Sequence, residues 1–140
     1  MTKEEVIKKV KEQNFPKGEF IVFGAAPFVI YGIRDVRDID MLVSVELYKK
    51  LNAKGWKKVS KGPSDEPLTN DVFEAHDNWD FSQYAPTLEE LLTRATEYEG
   101  IDFASLDDVR KWKEVSGRPK DITDLKLIDD YLATIPDTNK

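Results

Sequence analysis

Apolar residues recur at helical spacing at both ends of the chain and collect into short runs in the middle. In "TKEEVIKKVKEQ" Val6, Ile7 and Val10 share one helical face, behind a capping box of Thr2 and Glu5. "EFIVFG" (19–24) is a continuous apolar run closed by Gly24, the pattern of a buried strand. "AAPFVIYG" reads as a short helix with Pro27 in its first turn and Gly32 at its end. "DIDMLVS" (38–44) predicts a second strand, and "VELYKKLNAKG" a helix ending at Gly55. "WKKVS" predicts a strand or strand edge, "KGPSDEP" (61–67) a loop, and "LTNDVFEAH" (68–76) one alternating strand. "HDNWDFSQYAP" reads as irregular.

The last third reads as mainly helical. "TLEELLTRATEY" (87–98) predicts a helix opened by the capping box Thr87/Glu90, with Leu88, Leu91, Leu92 and Ala95 on one face. "GIDFA" is a short strand. "SLDDVRKWKEVSG" is a helix capped by Ser105, with Leu106, Val109 and Trp112 inward and Gly117 at its end. "RPKDITDLKLIDDYLATI" predicts a last helix, capped by Asp121 and burying Ile122, Leu125, Ile128 and Leu132. The order α-β-α-β-α-β-β-α-β-α-α predicts an α/β (α+β) fold: a small mixed sheet flanked by helices, with helices at the C-terminus.

Length and charge narrow this picture. The 140 residues fit one domain, 1–140, large enough for its own core. The chain has no cysteine, which removes disulfides and thiolate metal sites and fits a reducing compartment. No apolar run approaches a membrane span, and the charged start lacks the apolar stretch of a signal peptide. A cytoplasmic protein with no membrane role is the expectation. The net charge of −6 argues against an extended nucleic-acid surface while leaving room for a local basic site.

The chemistry concentrates in "RDVRDIDML" (34–42). Residues two apart on a strand share a face, so Asp38 and Asp40 project together, roughly 6–7 Å apart at the backbone. Two such carboxylates repel unless a cation lies between them, and Mg²⁺ suits oxygen ligands of this kind. Asp-x-Asp alone is more often a solvated strand end than a metal site. Context raises the metal reading: Gly24 closes a strand and opens a helix, where backbone can approach an anion. Asp35 fits the turn before the strand.

"VFGAAPFVIYGIRDVRDIDMLV" resembles the signature of the nucleotidyltransferase superfamily typified by DNA polymerase β. That signature is a strand ending in Gly-Gly or Gly-Ser, a short helix, then Asp-x-Asp on the next strand. "ASLDDVRKWKEVSGRPKDITDLKLI" is similar to the helical region of small bacterial members, the minimal nucleotidyltransferases. The two stretches cover roughly residues 19–45 and 86–133. The resemblance implies a nucleotidyltransferase-like fold and Mg²⁺ (or Mn²⁺) at Asp38 and Asp40. Gly24 and Ala25 would form the phosphate-binding turn. A third carboxylate would hold metal or orient the attacking hydroxyl; Asp71 is the best match and Glu74 the fallback. On a regular strand those two fall on opposite faces, so at most one serves. Basic residues that would neutralise phosphates are Arg34, Arg37, Lys113, Arg118 and Lys120, each of which taken singly is more often a solvated surface charge. Asp121 fits a helix cap better than a metal ligand.

The implied reaction moves a nucleoside monophosphate from a nucleoside triphosphate, ATP being the expected donor, to a hydroxyl of a small molecule, an RNA end or a protein. Ala25 departs from the Gly or Ser of the family. That departure leaves open weaker nucleotide binding, an unusual donor, or a catalytically degenerate toxin–antitoxin component that binds a helical protein partner. A metal-dependent phosphatase or nuclease using the same carboxylates is a further alternative. His76, the single histidine, reads as structural or as a minor substrate contact. Trp112 fits a helix core face. Trp79 fits core packing better than a base or acceptor pocket.

Overall fold

The computed structural model describes residues 1–80 and 83–135. Positions 81 and 82 of the irregular stretch 76–86 lie outside them. The elements run α1 (Lys3–Gln13), β1 (Phe20–Phe23), α2 (Phe28–Tyr31), β2 (Ile39–Val43), α3 (Val45–Ala53), β3 (Lys57–Lys58), β4 (Leu68–Asn70), β5 (Phe73–His76), α4 (Leu88–Thr93), β6 (Thr96–Tyr98), β7 (Ile101–Phe103), α5 (Leu106–Ser116) and α6 (Pro119–Ala133). The strands form one mixed seven-stranded sheet in the order β3-β4-β5-β2-β1-β7-β6. The fold is therefore α+β, with two helices closing the described chain.

β1 lies near the middle of the sheet and buries all four side chains, so it reads as an unbroken apolar run. It pairs antiparallel with β2, and β2 pairs parallel with β5. That register sets Phe23 opposite Asp40 on one side and Asp40 opposite Glu74 on the other. Met41, Leu42 and Val43 bury the rest of β2. Burying a side chain of this size contributes roughly 1.5–3 kcal/mol, which anchors the strand that carries Asp40.

Four expectations from the sequence are corrected. Residues 68–76 form a hairpin rather than one strand. Asp71 breaks it by adopting a positive φ of 52°, a conformation Asp tolerates better than most residues. The helix expected over 87–98 stops at Thr93, and Thr96–Tyr98 returns as β6. The reversal from β6 to β7 passes through Glu99 and Gly100, both at positive φ, the geometry of a two-residue hairpin turn. The last helix begins at Pro119 with Arg118 as its cap residue, not at Asp121. Asp121 instead accepts the Arg118 backbone N–H from the first turn. Finally, Ile122 is 63 % exposed, and α6 turns Asp121, Asp124 and Ile128 inward. The inward carboxylates meet a buried lysine on α5, described below, and that pairing decides the orientation of the helix. Among the described residues no helix is long and apolar enough to cross a membrane.

Candidate functional site

Asp40 lies at the point where β1, β2 and β5 run side by side. Gly24, the residue after β1, has φ of 64°, and a Cβ there would stand 2.5 Å from Asp40 Oδ2. The glycine thus makes room for the carboxylate in addition to permitting the turn. Asp40 retains some access to the cavity, but the protein around it is dense. Burial pushes its carboxyl up to about 6, with further upward pushes from Glu74 and Asp38 and downward ones from His76 and Lys61. The leading influences on it are burial and charge rather than hydrogen bonds.

Glu74 is the adjacent carboxylate on β5 and is treated very differently. His76 Nε2 donates to its Oε1 at 3.0 Å, and Lys61 Nζ forms an ion pair with the same oxygen. The hydrogen bond from His76, helped by Lys61 and opposed by burial, holds the carboxyl down at about 2. Glu74 and His76 share a face because they are two apart on β5. Lys61 arrives from the β3–β4 connection, where its N–H bonds the Asp65 carbonyl at 2.8 Å.

A second ionic cluster faces the first from α5 and α6. Lys113 is 2 % exposed, and its ammonium lies 2.8 Å from Asp124 and 3.2 Å from Asp121. Arg34 forks onto Asp124 at 2.9 and 2.8 Å, and Arg118 onto Asp121 at 2.7 and 3.1 Å. Phe28 lies under both Arg34 and Lys113, and Trp112 under both Lys113 and Arg118, at 5.0–5.5 Å from ring centre to cation. Burial alone would raise Asp121 and Asp124, but the arginine forks and the Lys113 charge outweigh it and hold both below the ordinary carboxylate range. Three cations meet two anions here, so the cluster carries a surplus positive charge.

The two clusters share one open cavity of about 700 Å³. Its wall carries carboxylates, among them Asp38, Asp40, Glu74 and Asp124, together with the cations of Arg34, Arg37, Lys61, Lys113, Arg118 and Lys120, and Ala25. Trp79 and Trp112 contribute to the lining while packing on Phe23, at 4.6 and 6.1 Å between ring centres. Both tryptophans are therefore core residues with an edge on the cavity.

The structure thus brings together Asp38, Asp40, Ala25, Arg34, Arg37, Lys113, Arg118 and Lys120 from the residues singled out in the sequence. Gly24 touches Asp40 from behind. Asp71 does not join them. It sits in the β4–β5 turn, 60 % exposed and paired with Lys9 at 2.9 Å. Glu74, the fallback, is the carboxylate that lines the cavity beside Asp40. Lys61 and Asp124 were missed; a lysine in a Gly-Pro loop and an aspartate in an acidic helix carry no signal of their own. His76, expected as structural or as a minor substrate contact, lines the cavity and bonds Glu74, and its parity with Glu74 is the available clue.

The turn after Gly24 also differs from expectation. The N–H groups of Phe28, Val29 and Ile30 already bond the carbonyls of Ala25, Ala26 and Pro27. The start of α2 therefore does not offer those amides to an anion.

Among the described residues no group of three or more His, Cys, Asp or Glu side chains is arranged to hold a metal ion. The donor chemistry still fits a hard cation. Asp38 and Asp40 present carboxylate oxygens to one cavity, and the raised Asp40 carboxyl marks a place where added positive charge is favourable. Two carboxylates suit an ion whose shell is completed by phosphates and water rather than by protein alone. Comparison with protein-family models, curated proteins and solved structures yields no match, so the reading of this site rests on its own geometry and on the sequence motifs.

Proposed function

We propose that this chain is a metal-dependent nucleotidyltransferase that moves a nucleoside monophosphate from a nucleoside triphosphate to a hydroxyl acceptor, with ATP as the expected donor. The observation that carries the reading is one cavity lined by carboxylates and by cationic side chains together. A metal–triphosphate likewise carries charges of both signs. Asp38 and Asp40 would hold Mg²⁺ or Mn²⁺, which when bound would offset charge on the phosphates. Arg37 and Lys120 are exposed, line the cavity and stand outside the buried cluster, so they are the first candidates to bind phosphate oxygens. Arg34 and Arg118 are half committed to Asp124 and Asp121 and would fix the depth of that wall. Lys113 is fully engaged and supports the wall from behind.

In the reaction the acceptor oxygen bonds to the α-phosphorus in line with the departing pyrophosphate, whose P–O bond breaks. Glu74, opposite Asp40 in the strand register, would accept the hydrogen bond of the acceptor hydroxyl and orient it, and the hydroxyl proton would leave to solvent water. The acceptor, whether a small molecule, an RNA end or a protein side chain, would enter through the open side of the cavity.

The test is incubation with α-labelled ATP, Mg²⁺ and a panel of hydroxyl acceptors. Label transferred by the wild type and lost in Asp38→Asn and Asp40→Asn supports the reading. Release of phosphate alone indicates a hydrolase that uses the same carboxylates. One observation favours a second reading: Glu74 is already occupied by Lys61 and His76. With Ala25 in the turn, this fits a catalytically degenerate protein-binding component of the toxin–antitoxin kind. Failure to transfer label, together with capture of a helical partner by the purified chain, would favour it.

A further inference from the structure

Lys61 is placed where a second cation of the carboxylate cluster would go. Its ammonium pairs with Glu74, and the charges that act on it are those of Glu74, Asp40 and Asp65, all facing the cavity. The side chain is 46 % exposed while Glu74 is 20 % exposed, so the lysine approaches from the open side onto a more protected anion. Its backbone is fixed in a tight turn. Lys61 N–H bonds Asp65 O at 2.8 Å, and Asp65 N–H bonds Gly62 O at 3.1 Å, through Gly62 and Ser64 at positive φ. The backbone is held while the four-carbon stem is free to swing, which is what a displaceable cation requires.

We propose that Lys61 is a resident counter-ion of Glu74 that competes with the divalent metal and must swing away when metal and nucleotide enter. This rests on the reading that metal is held at Asp38 and Asp40. Two cations cannot share the Glu74 end of the cluster without repulsion, and the lysine is covalently present at high local concentration. Nucleotide-free protein should therefore bind metal weakly. Once displaced, the ammonium remains on the cavity wall and within reach of incoming phosphates.

The experiment is Mn²⁺ titration of nucleotide-free protein, with free Mn²⁺ read by its paramagnetic resonance signal. The proteins are wild type, Lys61→Met, Lys61→Arg, Glu74→Gln and the double variant Lys61→Met/Glu74→Gln, each checked for folding by thermal melting. Lys61→Met should bind Mn²⁺ about fivefold more tightly than wild type, the scale of one partly exposed ion pair removed. Lys61→Arg should match wild type, because the charge is kept. In the Glu74→Gln background, Lys61→Met should bring no gain. Equal affinity of wild type and Lys61→Met overturns the proposal and leaves the metal site standing. A gain of the same size in the Glu74→Gln background also overturns it, since Lys61 would then act on the cavity at large. Absence of Mn²⁺ binding in every variant at millimolar metal overturns both this proposal and the metal reading beneath it.

Discussion

The two ionic clusters that line the cavity contain similar residues and behave in opposite ways. In the helical cluster, Lys113, Arg34 and Arg118 surround Asp121 and Asp124, and both carboxyls fall below their ordinary range. In the sheet cluster, Asp40 is pushed up to about 6 while its neighbour Glu74 is held at about 2. The difference lies in where the cations come from. The helical cluster contains its own, brought in by α5, α6 and the segment before β2. The sheet cluster has Lys61 and His76 directed at Glu74 and leaves Asp40 with a deficit of positive charge. A closed cluster of this kind holds structure; an open one is where a ligand cation gains most.

The largest expected effect falls on the closed cluster. Lys113→Met leaves two buried carboxylates with less compensation and should lower stability by about 3 kcal/mol, read from urea unfolding. An unchanged midpoint would mean that Arg34 and Arg118 suffice and that the two clusters are less different than their geometry states.

The open cluster should respond with the opposite sign. In metal-free protein the folded Asp40 carboxyl holds its proton more tightly than the unfolded chain, at about 6 against 3.8. Its contribution is fully present below about pH 4 and is lost as the pH rises through 6. Asp40→Asn should therefore gain on the wild type between pH 4 and pH 7.5, by roughly 2–3 kcal/mol. A gain that stays flat across this range would show that Asp40 is not short of positive charge.

Gly24→Ala sharpens the comparison from the backbone side. The positive φ and the approach to Asp40 Oδ2 together should cost about 2 kcal/mol. Part of that cost should disappear in an Asp40→Ala background, as a double-mutant cycle of melting curves would show. The smallest effect is expected at Asp71, which belongs to neither cluster. Its exposed pair with Lys9 is worth under about 1 kcal/mol, and Asp71→Ala should leave label transfer unchanged while Glu74→Ala lowers it roughly 100-fold.

Much of this arrangement was legible in the residues. The apolar run Phe20–Phe23 and the caps Thr2, Ser105 and Thr87 are local signals, and local physics decides them. The β4–β5 reversal was not legible as such. Asn70-Asp71 is a turn signal, yet Val72 and Phe73 continue the alternation, and only the pairing of Asn70 with Phe73 reveals the hairpin. That single reversal moves Asp71 to the surface and leaves Glu74 beside Asp40. Likewise the inward face of α6 could not be read from its apolar residues. It is set by Lys113, eight residues before Asp121 in sequence and on another helix. Register between β2 and β5 is non-local, and the Lys113–Asp121 pair joins two helices, so the apolar pattern of either helix alone does not contain it.

The most direct test of the mixed-charge cavity is calorimetric titration of ATP into the wild type, with and without Mg²⁺, and into Asp38→Asn with Mg²⁺. Binding that requires the two ligands together, and that is lost in Asp38→Asn, is the expected result. Equal binding in all three titrations, or none in any of them, would contradict a site built for a metal–triphosphate.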